Sequence, residues 1–212
     1  MTRHVTAYDI ENMSKIYRLN FINSCTGYKS ANLIGTRSRD GVSNLAIFNS
    51  FVHLGSNPPL LGFILRPLTV PRHTYQNFKE TGHFTVNHVT KSMIADAHHT
   101  SASYENGISE FSKTALTEAY LDDFHAPYVQ ESPIKIGCSY KNEYHIEENG
   151  TLLIVGAIEH IYFDEKMQGE DGWLQLDKGN IVAVNGLDGY AETKLSARFH
   201  YARPDQETTS FE

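Results

Sequence analysis

Two long alternating runs, Ile134–Ile146 and Thr151–Phe163, flank the short segment Glu147-Glu148-Asn149-Gly150. Asn-Gly between such runs is the strongest short-range hairpin signal, because both residues tolerate the positive φ a reversing turn demands. Two strands joined so tightly have to pair antiparallel. Leu152, Ile154, Val155 and Ile158 imply that the second is buried on much of both faces, so further strands must lie beside it.

Those strands are legible upstream. Ala31–Ser38 is apolar and β-branched, Arg39-Asp40-Gly41 signals a tight turn, and Val42–Leu54 reads as one long half-buried strand ending at Gly55. Asn57-Pro58-Pro59 punctuates the chain before Leu60–Leu65, a short apolar run suited to a buried strand. Arg66-Pro67 closes that run. Pro71 precedes Arg72-His73-Thr74, which leads into Tyr75–Glu80, a two-turn helix stopped by Gly82. His83–Val89 alternates as another strand, Lys91–His98 reads as a helix, and polar Thr100–Ala126 is expected to hold two short helices. Near the start, Ile10, Met13, Ile16 and Tyr17 recur at helical spacing, which predicts a short amphipathic helix within residues 1–20 packed on the body. Phe21–Cys25 reads as a short segment or strand ended by Gly27. After the hairpin come a charged loop, Gly169–Lys178, with the only tryptophan (Trp173), the apolar run Asn180–Val184, and the turn Gly186-Leu187-Asp188-Gly189-Tyr190. Arg203–Glu212 is poor in apolar residues and is expected to be a flexible tail.

Bulk properties narrow the class. The 212 residues suit a single domain, residues 1–212, that buries roughly 70% of its unfolded surface. A net charge of −7 argues against a nucleic-acid surface, and no basic run suits an anionic membrane. No 18-residue apolar span and no signal-peptide pattern are visible. Cys25 and Cys138 form no CxxC motif, which fits a reduced, cytoplasmic protein. His83, His88, His98 and His99 lack the HExxH spacing of helical zinc sites, so no metal is expected. Asp122-Asp123 reads as a solvated face. No GxGxxG, GxxxxGK or GxSxG pattern and no solenoid-length repeat occurs.

Arg66, Arg72 and Thr74 gather where a strand ends and a helix begins. Guanidinium groups beside outward-pointing helix N–H groups suit a phosphate; solvated loop charges with Thr74 as an N-cap are the other reading. The surrounding motifs add to this. Asp40-Gly41, Asn44, Ala46 and Asn49-Ser50-Phe51 follow the pattern DG-x-x-N-x-A-x-x-S-S-F; Pro58-Pro59-Leu60 with Phe63 follows PP-L-x-x-F. Arg72-His73-Thr74 with Asn77 follows (K/R)-(D/H)-T-x-x-N, and Thr85-Val86-Asn87, Ser109-Glu110-Phe111, Ala126-Pro127 and Tyr201-Ala202-Arg203-Pro204 extend the likeness. In these features the chain resembles the flavin reductase-like family from about Asn20 onward.

The resemblance implies a mainly β chain with added helices: an antiparallel FMN-binding split β-barrel of six strands or a similar number, commonly a homodimer. It implies FMN as cofactor, with Arg72 and Thr74 on its phosphate, Arg66 and His73 close by, and Asn77 on the same helix. The strand Asn44–Phe51 would lie along the ring, backbone N–H groups near Ala46 and Phe48 meeting its polar edge and Asn49 and Ser50 its ribityl chain. Thr36 would face the same area, and Tyr190 in its glycine-rich turn can approach the flavin. The implied function is an FMN-dependent oxidoreductase carrying electrons from a reduced donor, NAD(P)H being one candidate, to an acceptor. Alternatives are a flavin-binding electron carrier or storage protein without NAD(P)H turnover, and a related barrel without flavin that serves as an interaction module. Two departures are visible: Asn49 stands where a serine is typical, and Glu148-Asn149-Gly150 where many members have Gly-Asp-His. The latter leaves the electron donor open.

Overall fold

The computed structural model describes residues 1–211. Two helices, α1 (Ala7–Glu11) and α2 (Lys15–Cys25), precede the strands β1 (Lys29–Ser30), β2 (Asn32–Arg37), β3 (Ser43–Phe48), β4 (Phe51–Ser56) and β5 (Pro59–Leu65). Then come α3 (His73–Thr81), β6 (His83–His88), α4 (Ile94–His99), β7 (Glu118–Ala119) and β8 (Tyr128–Val129). The long hairpin is β9 (Ile134–Ile146) and β10 (Thr151–Phe163), followed by β11 (Val182–Asn185) and β12 (Gly189–Glu192).

The hairpin forms as expected, paired antiparallel from Ile146 opposite Thr151 to Ile134 opposite Phe163. Gly150 supplies the positive φ, +71°, that lets the loop reverse. Around it a seven-stranded antiparallel sheet runs in the order β3-β2-β6-β9-β10-β5-β4. β3 and β4 therefore lie at opposite edges although only Asn49 and Ser50 separate them in the chain. A sheet can satisfy both conditions only by rolling up until its edges meet. The result is a barrel.

This corrects the single strand expected over Val42–Leu54. In a continuous strand Phe48 and Phe51 would point to opposite faces. Instead both rings pack on Phe63, at 5.4 and 5.3 Å between centroids, so the chain has to turn between them. Counted as one bent strand, β3 and β4 leave the six expected. Phe63, Phe78 and Phe84 fill the barrel with Ile34, Leu65, Val86 and Ile154, and α3 closes one end through Phe78. A second cluster, with Leu33, Leu45, Val89 and Met93, lies beneath α4. Gly35 in β2 has no room for a side chain: a Cβ there would lie 2.2 Å from the carbonyl oxygen of Pro127.

Other expectations are revised. The N-terminal segment forms two helices rather than one, and Phe21–Cys25 extends α2 rather than forming a strand. Neither helix buries a side chain; Ile16 and Tyr17, expected to pack on the body, are 64% and 51% exposed. Cys25 is exposed and Cys138 buried. Thr100–Ala126 contains one 3-10 turn, Glu110–Lys113, and β7 in place of two helices. Its polar residues instead bond outward to the barrel, as where Ser43 Oγ donates to Glu118 at 2.8 Å. The expected tail folds back: Phe199 bridges Ser210, and Arg198 lies between the rings of Trp173 (4.1 Å) and Phe211 (4.5 Å). Glu212, the last residue of that expected tail, lies outside the described residues. Among the described residues no helix is long and apolar enough to cross a membrane.

Candidate functional site

Where the chain leaves β3 for β4, a cleft of about 710 Å³ opens. Its walls come from β3 and the Asn49-Ser50 bend, the end of β5 with Arg66, the start of α3, the stretch from His98 to Tyr104, and the turn between β11 and β12. The bend is tied to its neighbours. Asn49 Nδ2 donates to the carbonyl of Gly186 at 2.9 Å, Ser50 Oγ donates to Asn49 Oδ1 at 3.2 Å, and the Ser50 carbonyl accepts from the Ile64 N–H at 3.0 Å.

Ten of the twelve residues implicated by the sequence line this cleft: Asn44, Ala46, Phe48, Asn49, Ser50, Arg66, Arg72, His73, Thr74 and Tyr190. Thr36 and Asn77 do not. They are buried behind it, Asn77 Nδ2 donating to Thr36 Oγ1 at 3.1 Å, and so fasten α3 to β2. A parallel bond runs from Asn44 Nδ2 to Thr74 Oγ1 at 3.0 Å and fastens α3 to β3. Both bonds set the helix start against the sheet.

That helix start is built for an anion. Arg72 occupies the N-cap position but makes no side-chain cap, so the first N–H groups of α3 lack a side-chain acceptor. Its own Nε is buried without a hydrogen-bond partner. Burial first, then the positive charge of Arg66, lowers the Arg72 pKa below the ordinary guanidinium value. Among the described residues neither arginine enters an ion pair. Two guanidinium groups held near each other without a carboxylate are an unfavourable arrangement that a bound phosphate would relieve. The residues present therefore fit a phosphate-bearing ligand, and the volume is that of a small-molecule pocket.

Sequence reasoning missed several lining residues, among them His98, Tyr104, Glu110 and Asp188. Glu110 belongs to the Ser109-Glu110-Phe111 motif, which signalled family likeness but no role. It is buried, and its Oε2 accepts the Leu45 N–H at 2.8 Å, pinning β3 to this stretch. Burial is the main cause of its raised pKa, with the Leu45 bond and His73 opposing. The folded state thus holds this proton more tightly than the unfolded chain. The associated stability is fully present below the ordinary value of 4.5 and is lost as pH rises through the raised folded value. Glu110→Gln keeps an acceptor for Leu45 and removes the charge. It is expected to raise Tm at neutral pH, with the gain vanishing in acid, as paired thermal melts across pH will show.

His98 and His99, adjacent at the end of α4, each meet a tyrosine that lines the cleft. His98 Nδ1 lies 3.2 Å from the Tyr190 hydroxyl and His99 Nε2 2.7 Å from that of Tyr104. Burial, then the charge of Asp188, pushes Tyr190 up to about 12. His83 and His88 do not line the cleft.

A rolled antiparallel sheet whose bend opens onto an uncapped helix start and two arginines without ion pairs defines a barrel whose cleft fits a phosphate-bearing small molecule. Residues 28–184 match the model of the flavin reductase like domain, and the chain belongs to that family. Among solved structures it is similar to a candidate flavin reductase with a split barrel domain from Shewanella frigidimarina NCIMB 400. The two are 44% identical with a TM-score of 0.92, over 95% of this chain and 100% of that one. The fold is thus the mainly antiparallel split barrel of the flavin reductases. More distant neighbours share that fold. Nitrilotriacetate monooxygenase component B from Bacillus cereus is 18% identical, with TM-score 0.79 over 92% of this chain and 98% of that one. The flavoredoxin of Desulfovibrio vulgaris (Miyazaki F) is 23% identical, with TM-score 0.68 over 84% and 91%.

Proposed function

We propose that the cleft binds FMN and that the protein is an oxidoreductase, passing electrons from a reduced donor through the bound flavin to an acceptor. The observation that carries this reading is the buried, unpartnered Nε of Arg72 beside Arg66 at an uncapped helix start. Arg72, Arg66 and the N–H groups at His73 and Thr74 would hold a terminal phosphate. Backbone groups from Asn44 through Phe48 would meet the ring, and Asn49 and Ser50 the ribityl hydroxyls. The flavin would supply the redox chemistry; the chain binds it, orients it and excludes water. Exposed apolar residues on α1 and α2, including Tyr8, Ile16 and Tyr17, support a homodimer in which a second copy covers them. The free thiols of Cys25 and Cys138 support a reducing, cytoplasmic setting.

NAD(P)H is the first donor to test. Purified protein is expected to show flavin absorption bands that bleach on anaerobic addition of NADH or NADPH. Bands that persist with both, yet bleach with dithionite, identify an electron carrier instead. The Glu148-Asn149-Gly150 loop, without the histidine of many members, gives that second reading its support. No bands after adding FMN would overturn the cofactor assignment.

A further inference from the structure

The polar equipment of the cleft exceeds what a phosphate and a flavin ring require. The His98–Tyr190 contact joins two environments: Tyr190 is half-buried on the cleft, whereas His98 is exposed at the helix end. Among the described residues the imidazole of His98 has one hydrogen-bond partner, Tyr190 through Nδ1, which leaves the other ring nitrogen open. Such a pair can be bonded in either sense. With the proton on Nδ1, the imidazole donates to the tyrosine oxygen, and the phenol O–H is free to donate into the cleft. With Nδ1 bare, the phenol donates to the imidazole, and its oxygen can accept from a ligand. A pair that reverses in this way matches a ligand whose oxygen is an acceptor before reduction and a donor after it. The same cleft is also lined by Tyr104 and Phe48, aromatic side chains that suit a flat ring.

Resting on the flavin reading above, we propose that Tyr190 is the proton donor to a second ligand of the quinone class in this cleft, with His98 the positioning residue that resupplies it from solvent. A quinone takes up two electrons and two protons. Bound reduced flavin would supply a hydride, that is, both electrons and one of the two protons. The second proton comes from Tyr190: its O–H bond breaks as a new O–H bond forms on the quinone oxygen. Tyr190 then recovers a proton from Nδ1 of His98, which regains one from water. Tyr190 stays protonated at neutral pH, consistent with burial pushing its pKa up to about 12. Asp188 is the charged neighbour that acts in the same direction.

The test uses FMN-loaded protein in excess over FMN, reduced anaerobically with dithionite and mixed with menadione in a stopped-flow instrument. Tyr190→Phe keeps the ring and loses the proton; His98→Gln keeps a hydrogen-bonding side chain that cannot relay one. Each is expected to slow reoxidation by menadione about tenfold or more, the double variant no further, because the two act as one unit. The acid limb of the wild-type pH profile should flatten in His98→Gln. Independently of turnover, the ring-nitrogen NMR shifts of His98, which report which nitrogen carries the proton, should move in Tyr190→Phe. Unchanged reoxidation rates, additive losses or unmoved His98 ring-nitrogen shifts overturn the relay and leave the flavin reading standing. Failure of wild-type protein to bind FMN overturns both.

Discussion

FMN binding is expected to weaken by roughly 10- to 150-fold when Arg72 is replaced by alanine. A hydrogen bond to a charged group contributes about 1.5–3 kcal/mol, and each 1.4 kcal/mol is a factor of about ten in Kd. Arg72 should lie at the upper part of that range because its Nε is already desolvated and has no other partner. The cost of burying it is carried by the fold whether or not a phosphate arrives. Arg66→Ala should cost less, since Arg66 has no buried unpartnered atom and its removal relieves repulsion on Arg72. For the same reason the two losses should not add. Arg72→Lys should recover only part of the affinity, a point charge replacing a planar fork. Titration of FMN by fluorescence quenching checks all four proteins, and an unchanged Kd in Arg72→Ala would remove this arginine from the site.

The largest effect on stability is expected from Phe63→Ala, about 3–5 kcal/mol by the usual cost of deleting a buried aromatic ring. Phe63 is fully buried. Its ring contacts Phe48, Phe51, Phe78 and Phe84, at 5.3 to 6.2 Å between centroids. It thereby joins β3, β4, α3 and β6 through one side chain. Phe63→Leu refills much of the volume and should cost appreciably less. Urea unfolding followed by circular dichroism measures both. Phe63 does not line the cleft, yet Phe48 and Phe51 flank the Asn49-Ser50 bend. A looser bend should therefore lower FMN affinity in Phe63→Ala at temperatures where the barrel is still folded. A stability loss below about 1 kcal/mol would mean that the aromatic cluster does not hold the barrel as described.

The contrast between the hairpin and the bend shows what a sequence carries on its surface. Glu147–Gly150 was legible because turn chemistry is local: a reversing loop needs a residue tolerant of positive φ, and Gly150 is there. Gly82 ended α3 for the same reason, at φ +79°. The bend at Asn49-Ser50 was not legible, because alternation runs through it almost undisturbed and its cause, Phe63, lies in another strand. At the N-terminus helix was legible but not its break between Glu11 and Lys15, and Ile16 and Tyr17, expected to pack on the body, are exposed. The site divides along the same line. Arg66, Arg72 and Thr74 are close in sequence and were found; Glu110, His98 and Tyr104 arrive by tertiary packing and were not. Asn77 matched a motif and Thr36 was expected to face the flavin, yet in this structure the two hold α3 against the sheet.

The way the barrel closes has a mechanical meaning. A seam of hydrogen bonds is stiff until it breaks and then fails along its length. Between β3 and β4 the closure is covalent and two residues long, like a hinge pin. Three extended residues span at most about 10 Å, so Phe48 and Phe51 cannot part further however hard the cleft is pushed. Within that limit the gap can widen or narrow without giving up a ladder. The barrel is thus held shut at this point by a tether whose reach is fixed by bond lengths, whatever happens to the hydrogen bonds around it.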